Sequence, residues 1–173
     1  MKRHPARRLI VLRHAKSAWP DDIADHERPL APRGRRDAPA VGRWLEKHGL
    51  LPDLVVCSTA RRTRETWEGA SGELGGAPVV SYDERVYGAT VSELLDVVRE
   101  TPDEYRTLLL IGHNPGAQDF VLELAGDADE GSLADVRAKF PTSALAVLSV
   151  DVLWQDLAPH GARLTRFAAP RGT

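Results

Sequence analysis

Three short apolar runs in this chain break off into residues that can bind an anion or attack an electrophile. Leu9-Ile10-Val11-Leu12 runs into Arg13-His14, and Leu108-Leu109-Leu110-Ile111 runs into Gly112-His113-Asn114-Pro115. Leu54-Val55-Val56-Cys57 runs into Ser58-Thr59-Ala60 and the paired arginines Arg61 and Arg62. Guanidinium stays protonated, and its planar fork matches the oxygens of a phosphate, so Arg13 and Arg62 can neutralise a dianion. An imidazole with a pKa near ~6.5 is largely neutral around pH 7 and can serve as a nucleophile. Flanking arginines help to keep it neutral. With two histidines the work divides: one attacks phosphorus while the other donates hydrogen bonds to the phosphoryl oxygens. Phosphoryl transfer is the chemistry that this set fits.

Such residues meet only if the runs are neighbouring strands. Apolar runs alternate with longer amphipathic stretches, which predicts an α/β domain with a mostly parallel sheet. In open sheets of that kind ligands bind beyond the carboxyl ends of the strands, where Arg13, His14, Arg62 and His113 all fall. Strands are expected at Leu9–Leu12, Leu54–Cys57, Leu108–Ile111 and Ala144–Val150, each buried on both faces. Helices are expected over Gly34–His48, Ala60–Leu74, Ser92–Arg99 and Pro115–Ala125, and the last stretch, Ala144–Phe167, adds strands at Ala144–Val152 and Arg163–Phe167. Trp19–Arg33 and the acidic Gly126–Phe140 read as loops or weak surface helices. No repeat or linker divides the sequence, so residues 1–173 are expected to form a single domain.

Composition removes several classes. Lys plus Arg number 23 and Asp plus Glu 25, a net charge of −2, which argues against a nucleic-acid or anionic-membrane partner. The single cysteine, Cys57, cannot form an intrachain disulfide or a zinc-thiolate cluster, so a reducing, cytoplasmic setting is expected. The first apolar run stops at Arg13, too soon for a signal sequence, and no stretch approaches the ~20 residues of a membrane span.

Leu12-Arg13-His14-Ala15 resembles the Arg-His-Gly signature of the histidine phosphatase superfamily. Ser58, Arg62 and Thr66 are similar to its Ser-x-x-x-Arg-x-x-x-Thr segment, and Gly112-His113 to its second histidine motif. Glu27-Arg28-Pro29-Leu30-Ala31-Pro32-Arg33-Gly34 and Val86-Tyr87-Gly88-Ala89 resemble the SixA-like phosphohistidine phosphatase branch, and the likeness spans Leu9 to Leu124, about two-thirds of the chain. It implies a phosphoglycerate-mutase-like, three-layer α/β/α sandwich. It also implies a covalent phosphohistidine on His14, a phosphate pocket of Arg13, Arg62 and His113, and no metal or other cofactor. The expected substrate is a phosphorylated protein bearing phosphohistidine or a small phosphorylated compound.

The departures are informative. Ala15 replaces the usual Gly, and Pro20 stands where mutase-like members carry Asn. The proton-donating Glu of many members would fall near Gly88; Glu84 and Asp83 lie close in sequence without matching that place, and Glu84 is kept as a weak candidate acid. A phosphoramidate tolerates a missing acid better than an alkyl phosphate does. Alternatives are therefore a phosphatase for small phosphomonoesters, a phosphoglycerate-mutase-type transferase, or a phosphate-binding module without turnover. Among the remaining residues, Cys57 lies inside an apolar run with Thr63, not Arg, six positions on, so it reads as a buried structural thiol. Lys16 and Ser17 are weak pocket candidates. Trp19, Trp44, Trp67 and Trp154 read as core or edge packing, and His4, His26, His48 and His160 as surface residues.

Overall fold

The strand that precedes His14 is apolar at four consecutive positions, and that requires cover on both faces of the sheet. A computed structural model, which describes residues 6–128 and 130–173, supplies it. Among the described residues seven strands form one sheet: β1 (Arg7–Arg13), β2 (Leu54–Cys57), β3 (Val79–Tyr82), β4 (Thr107–Gly112), β5 (Ala125–Ala128), β6 (Leu145–Val150) and β7 (Ala162–Ala168). Their order is β3-β2-β4-β1-β6-β7-β5. β6 runs antiparallel to both of its neighbours, and the other pairings are parallel.

Helices α1 (Pro32–Lys47) and α2 (Arg61–Ser71) cover one face, and α3 (Val91–Arg99), α4 (Gly116–Leu124) and α5 (Glu130–Ala138) the other. Side chains along β1 alternate between the two cores. Ile10 and Leu12 pack with Val41, Leu45 and Trp67, while Leu9 and Val11 pack with Leu94, Phe120 and Val121. Each such fully buried aliphatic contributes roughly 1.5–3 kcal/mol relative to exposure, so the central strands form a rigid floor. This is the expected three-layer sandwich with a mostly parallel sheet.

Two glycines set how closely the helices approach. A Cβ at Gly34 would lie 2.1 Å from the Lys16 carbonyl oxygen, so the start of α1 rests directly on the turn that follows β1. A Cβ at Gly42 would lie 2.1 Å from the Ala70 carbonyl oxygen, so α1 holds α2 at backbone contact. Pro32 starts α1, where a missing N–H is harmless, and Gly49 leaves the helix with a positive φ of 64°.

The expected strands and helices are present, with ends shifted by at most three residues and Leu54–Cys57 unchanged. Gly126–Phe140 is more ordered than its composition suggested, since it contains the end of β5 and all of α5. β5 pairs with β7, and Val136 of α5 is buried in the core, contacts that a reading of local periodicity does not register. Between Trp19 and Arg33 the chain makes a short helical turn at Asp25–Glu27, and Ser17 pairs with Leu30.

Candidate active site

The turn after β1 is fixed through its backbone. The His14 N–H donates to the Gly112 carbonyl at 3.1 Å, and the His14 carbonyl accepts from the Ser143 N–H at 3.0 Å. The Ala15 N–H donates to Thr66 Oγ1 at 3.0 Å, and that hydroxyl donates to the Arg62 carbonyl at 2.7 Å. The residue after His14 is thereby tied to the helix turn that bears Arg62. Ala15 is fully buried against Leu30 and Ala38.

His14 Nδ1 lies 2.7 Å from the Ala15 carbonyl oxygen. A carbonyl only accepts, so Nδ1 carries the proton and Nε2 keeps its lone pair. Burial, reinforced by positive charge at His113, Arg62 and Arg13, outweighs the Ala15 hydrogen bond and lowers the His14 pKa to about 3. The ring is a neutral imidazole at pH 7, as a nucleophile must be. The His113 ring centroid lies 5.3 Å away. Its Nε2 is 2.8 Å from Ser58 Oγ, which in turn accepts the Ala60 N–H at 3.3 Å. The other ring nitrogen, Nδ1, is a buried atom that has no protein partner. Burial and then Arg62 lower the His113 pKa to about 4.

Arg13 and Arg62 line the same cleft as the two histidines, a space of about 230 Å³ that Lys16, Ser17, Trp19, Arg28, Asn114 and Thr142 complete. Arg13 Nη1 donates to the Phe140 carbonyl at 3.1 Å, while its Nε has no partner. Burial, with Arg62 nearby, lowers its pKa. Arg62 is buried and donates to the Asp25 carbonyl at 2.7 Å and to Asp25 Oδ2 at 3.1 Å. Strand ends that lie up to 100 residues apart in sequence thus deliver His14, His113, Arg13 and Arg62 to one cleft.

Glu84 is not brought there. It is exposed in the helical turn after β3, outside the cleft lining. A carboxylate that does contact Arg62 is Asp25, which accepts from Tyr87 Oη at 2.5 Å, Arg28 at 3.0 Å and Arg62 at 3.1 Å. Led by the Tyr87 hydrogen bond, these contacts hold its pKa far below the usual carboxylate range.

Arg28 is the other residue that sequence reasoning left without a role. It is 7% exposed, yet it reaches the cleft. Its sequence signal is its place in the Glu27–Gly34 segment that resembles the SixA-like branch, which carried no role for it. Lys16 and Ser17 do line the cleft. Trp67 and Trp154 are buried as expected, but Trp19 is 75% exposed at the cleft and is not a core residue. His26 is half-buried and bonds Thr59 Oγ1 at 2.9 Å, while His4 lies outside the described residues.

Cys57 is fully buried, and burial pushes its thiol up to about 12. Among the described residues no group of three or more His, Cys, Asp or Glu side chains is arranged to hold a metal ion, and no helix is long and apolar enough to cross a membrane.

A mostly parallel sheet with imidazoles and guanidiniums gathered at its strand ends defines an α/β enzyme of the phosphatase class. The model of the histidine phosphatase superfamily (branch 1) matches residues 9–109, and the chain belongs to that superfamily. An uncharacterised protein of Mycobacterium tuberculosis is 41% identical over 162 residues, 92% of this chain and 100% of the relative. The structure of a protein provisionally designated phosphohistidine phosphatase SixA from Nakamurella multipartitia superposes with a TM-score of 0.87 at 37% identity, covering 98% of this chain and 99% of the other. A protein from Agrobacterium tumefaciens with the same provisional designation gives a TM-score of 0.81 at 30% identity, covering 96% and 99%.

Proposed function

We propose that this phosphatase hydrolyses phosphohistidine on a protein, through a covalent phosphohistidine formed on His14, in the cytoplasm. The observation that carries the reading is the His14 ring itself. Its Nδ1 proton is committed to the Ala15 carbonyl at 2.7 Å, so Nε2 is the free lone pair in a cleft bordered by Arg13, Arg62 and His113.

In the first step Nε2 of His14 attacks phosphorus in line with the departing nitrogen. The Nε2–P bond forms, the substrate P–N bond breaks, and the released imidazole nitrogen takes its proton from water. Arg13 and Arg62 neutralise the charge spread over the phosphoryl oxygens, and His113 donates a hydrogen bond to them. In the second step water attacks phosphorus, the Nε2–P bond breaks, and inorganic phosphate leaves. An imidazole leaving group makes little demand on a general acid, which accords with the absence of Glu84 from the cleft. The designations of the two similar SixA-type structures support the same substrate class.

The test is a rate comparison between a phosphohistidine-bearing protein and a panel of phosphorylated metabolites, with His14→Ala as control. Faster turnover of the protein, and a label that is stable in alkali on wild type but missing from His14→Ala, are the expected results. A marked preference for one metabolite would overturn the protein substrate. Wild-type hydrolysis by His14→Ala would overturn the mechanism.

A further inference from the structure

Trp19 is the large side chain whose placement the phosphate pocket does not explain. It is 75% exposed, whereas Trp67 and Trp154 are 6% and 0% exposed. One face of its indole is occupied, because the Arg28 guanidinium carbon sits 3.3 Å from the ring centroid. Arg28 cannot follow the ring outward. Its nitrogens are held by the Ala18 carbonyl at 3.0 Å, Ser17 Oγ at 2.5 Å and Asp25 Oδ1 at 3.0 Å. The indole is therefore backed by a fixed, planar, buried cation, and its high exposure leaves the opposite face open. That ring lines the same cleft as His14, Arg62 and His113. At about 230 Å³ the cleft is small, so a phosphoryl group held against His14 has its carrier group close to the surrounding walls.

We propose that Trp19 determines specificity by stacking its free face on the planar ring that carries the phosphoryl group, so that an imidazole is favoured over an alkyl carrier. The proposal rests on the phosphohistidine reading of the cleft and extends it to the leaving group. An offset-stacked ring pair discriminates because an alkyl chain cannot match the flat face, and the preorganised backing by Arg28 lowers the ordering cost.

The experiment measures kcat/KM of wild type, Trp19→Ala and Trp19→Phe on free phosphohistidine, an aryl phosphate and glycerol phosphate, together with inhibition by inorganic phosphate. Trp19→Ala is expected to lose roughly five- to tenfold on the two ring-bearing substrates, within the roughly 2- to 13-fold range of an aromatic pair. It should change less than about twofold on glycerol phosphate and in phosphate inhibition, neither of which offers a ring. Trp19→Phe should recover most of the loss. Equal losses on all substrates and in phosphate inhibition would mean that Trp19 only supports Arg28, and would overturn the proposal. So would a loss confined to a phosphorylated protein, with free phosphohistidine unaffected. If phosphohistidine is not turned over but the aryl-to-alkyl ratio still depends on Trp19, the substrate reading fails and the stacking role stands. If phosphohistidine is turned over without any dependence on Trp19, the stacking role fails and the substrate reading stands.

Discussion

Two buried neutral histidines make the stability of this enzyme depend on pH, most clearly between pH 6.5 and 5.5, above the range in which carboxylates titrate. The pKa values of His14 and His113 are lowered from 6.5 to about 3 and about 4, chiefly by burial. About a pH unit above 6.5 both rings are neutral, folded or unfolded, and add no pH dependence. As pH falls below 6.5 the unfolded chain takes up protons that the folded chain refuses, so stability declines until the folded pKa values are reached. Each histidine contributes a slope of ~1.36 kcal/mol per pH unit, about 2.5 kcal/mol together near pH 5.5, and an accumulated loss of about 5 kcal/mol between pH 7.5 and 4.5. That is a large part of the roughly 5–15 kcal/mol of a typical domain. The assay is urea unfolding at pH 7.5, 6.5, 5.5 and 4.5 for wild type, His14→Gln, His113→Gln and the double variant. The slope is the readout, so any constant change in stability from the substitution drops out. Each single variant should halve the slope between pH 6.5 and 5.5, and the double variant should nearly abolish it there, since the carboxylates with lowered pKa values, Asp25 among them, add their own slope only below about pH 5. Saturating inorganic phosphate should stabilise wild type. Equal slopes for wild type and the double variant would refute the assignment of both rings as buried and neutral.

Three further outcomes follow from single contacts. Ser58→Ala removes the partner of His113 Nε2 and frees the ring to reorient, so kcat/KM should fall by up to about tenfold while phosphate still binds, as enzyme assays and phosphate inhibition will show. Gly34→Ala places a Cβ 2.1 Å from the Lys16 carbonyl oxygen, a backbone atom, so the turn after β1 must shift; a loss of about 1–3 kcal/mol and a Tm lower by several degrees are expected in thermal unfolding. Cys57→Ala should keep wild-type turnover, and the native thiol should resist thiol reagents, because Cys57 is fully buried with its pKa pushed up to about 12.

Strands whose apolar runs are buried on both faces were legible in the sequence, because every residue of β2 and β4 is buried. β3 gives no such signal, since Val79 and Tyr82 are exposed on an edge strand, and its four residues read as ordinary chain. The loop from Trp19 to Arg33 was opaque for a different reason. Asp25 acts through Arg62, 37 positions away, and Tyr87, 62 positions away, and no local pattern encodes those pairs. Arg28 has the charge of a surface residue and the burial of a core one, and only the ring of acceptors around it reconciles the two.

The order of the sheet explains why residues 14, 58, 62 and 113 converge while residue 84 does not. β2, β4 and β1 are adjacent and parallel, with Arg13 in register with Gly112 and Cys57 with Ile111, so all three chains leave the sheet at one level. After β1 the chain turns toward α1 on one face, and after β4 toward α4 on the other. The divergence opens a crevice between the two strands that bear the histidines, the position where open α/β sheets bind ligands. Arg62 enters from β2, one strand beyond β4, through the first turn of α2. β3 lies one strand further out, and its chain leaves into a turn where Asp83 and Arg85 pair with each other rather than with the cleft. A proton donor at Glu84 would have to cross that distance. On the proposed reading the sheet supplies a nucleophile and cations at its centre while Glu84 stays at its edge, a combination suited to a leaving group that departs without help from a strong acid.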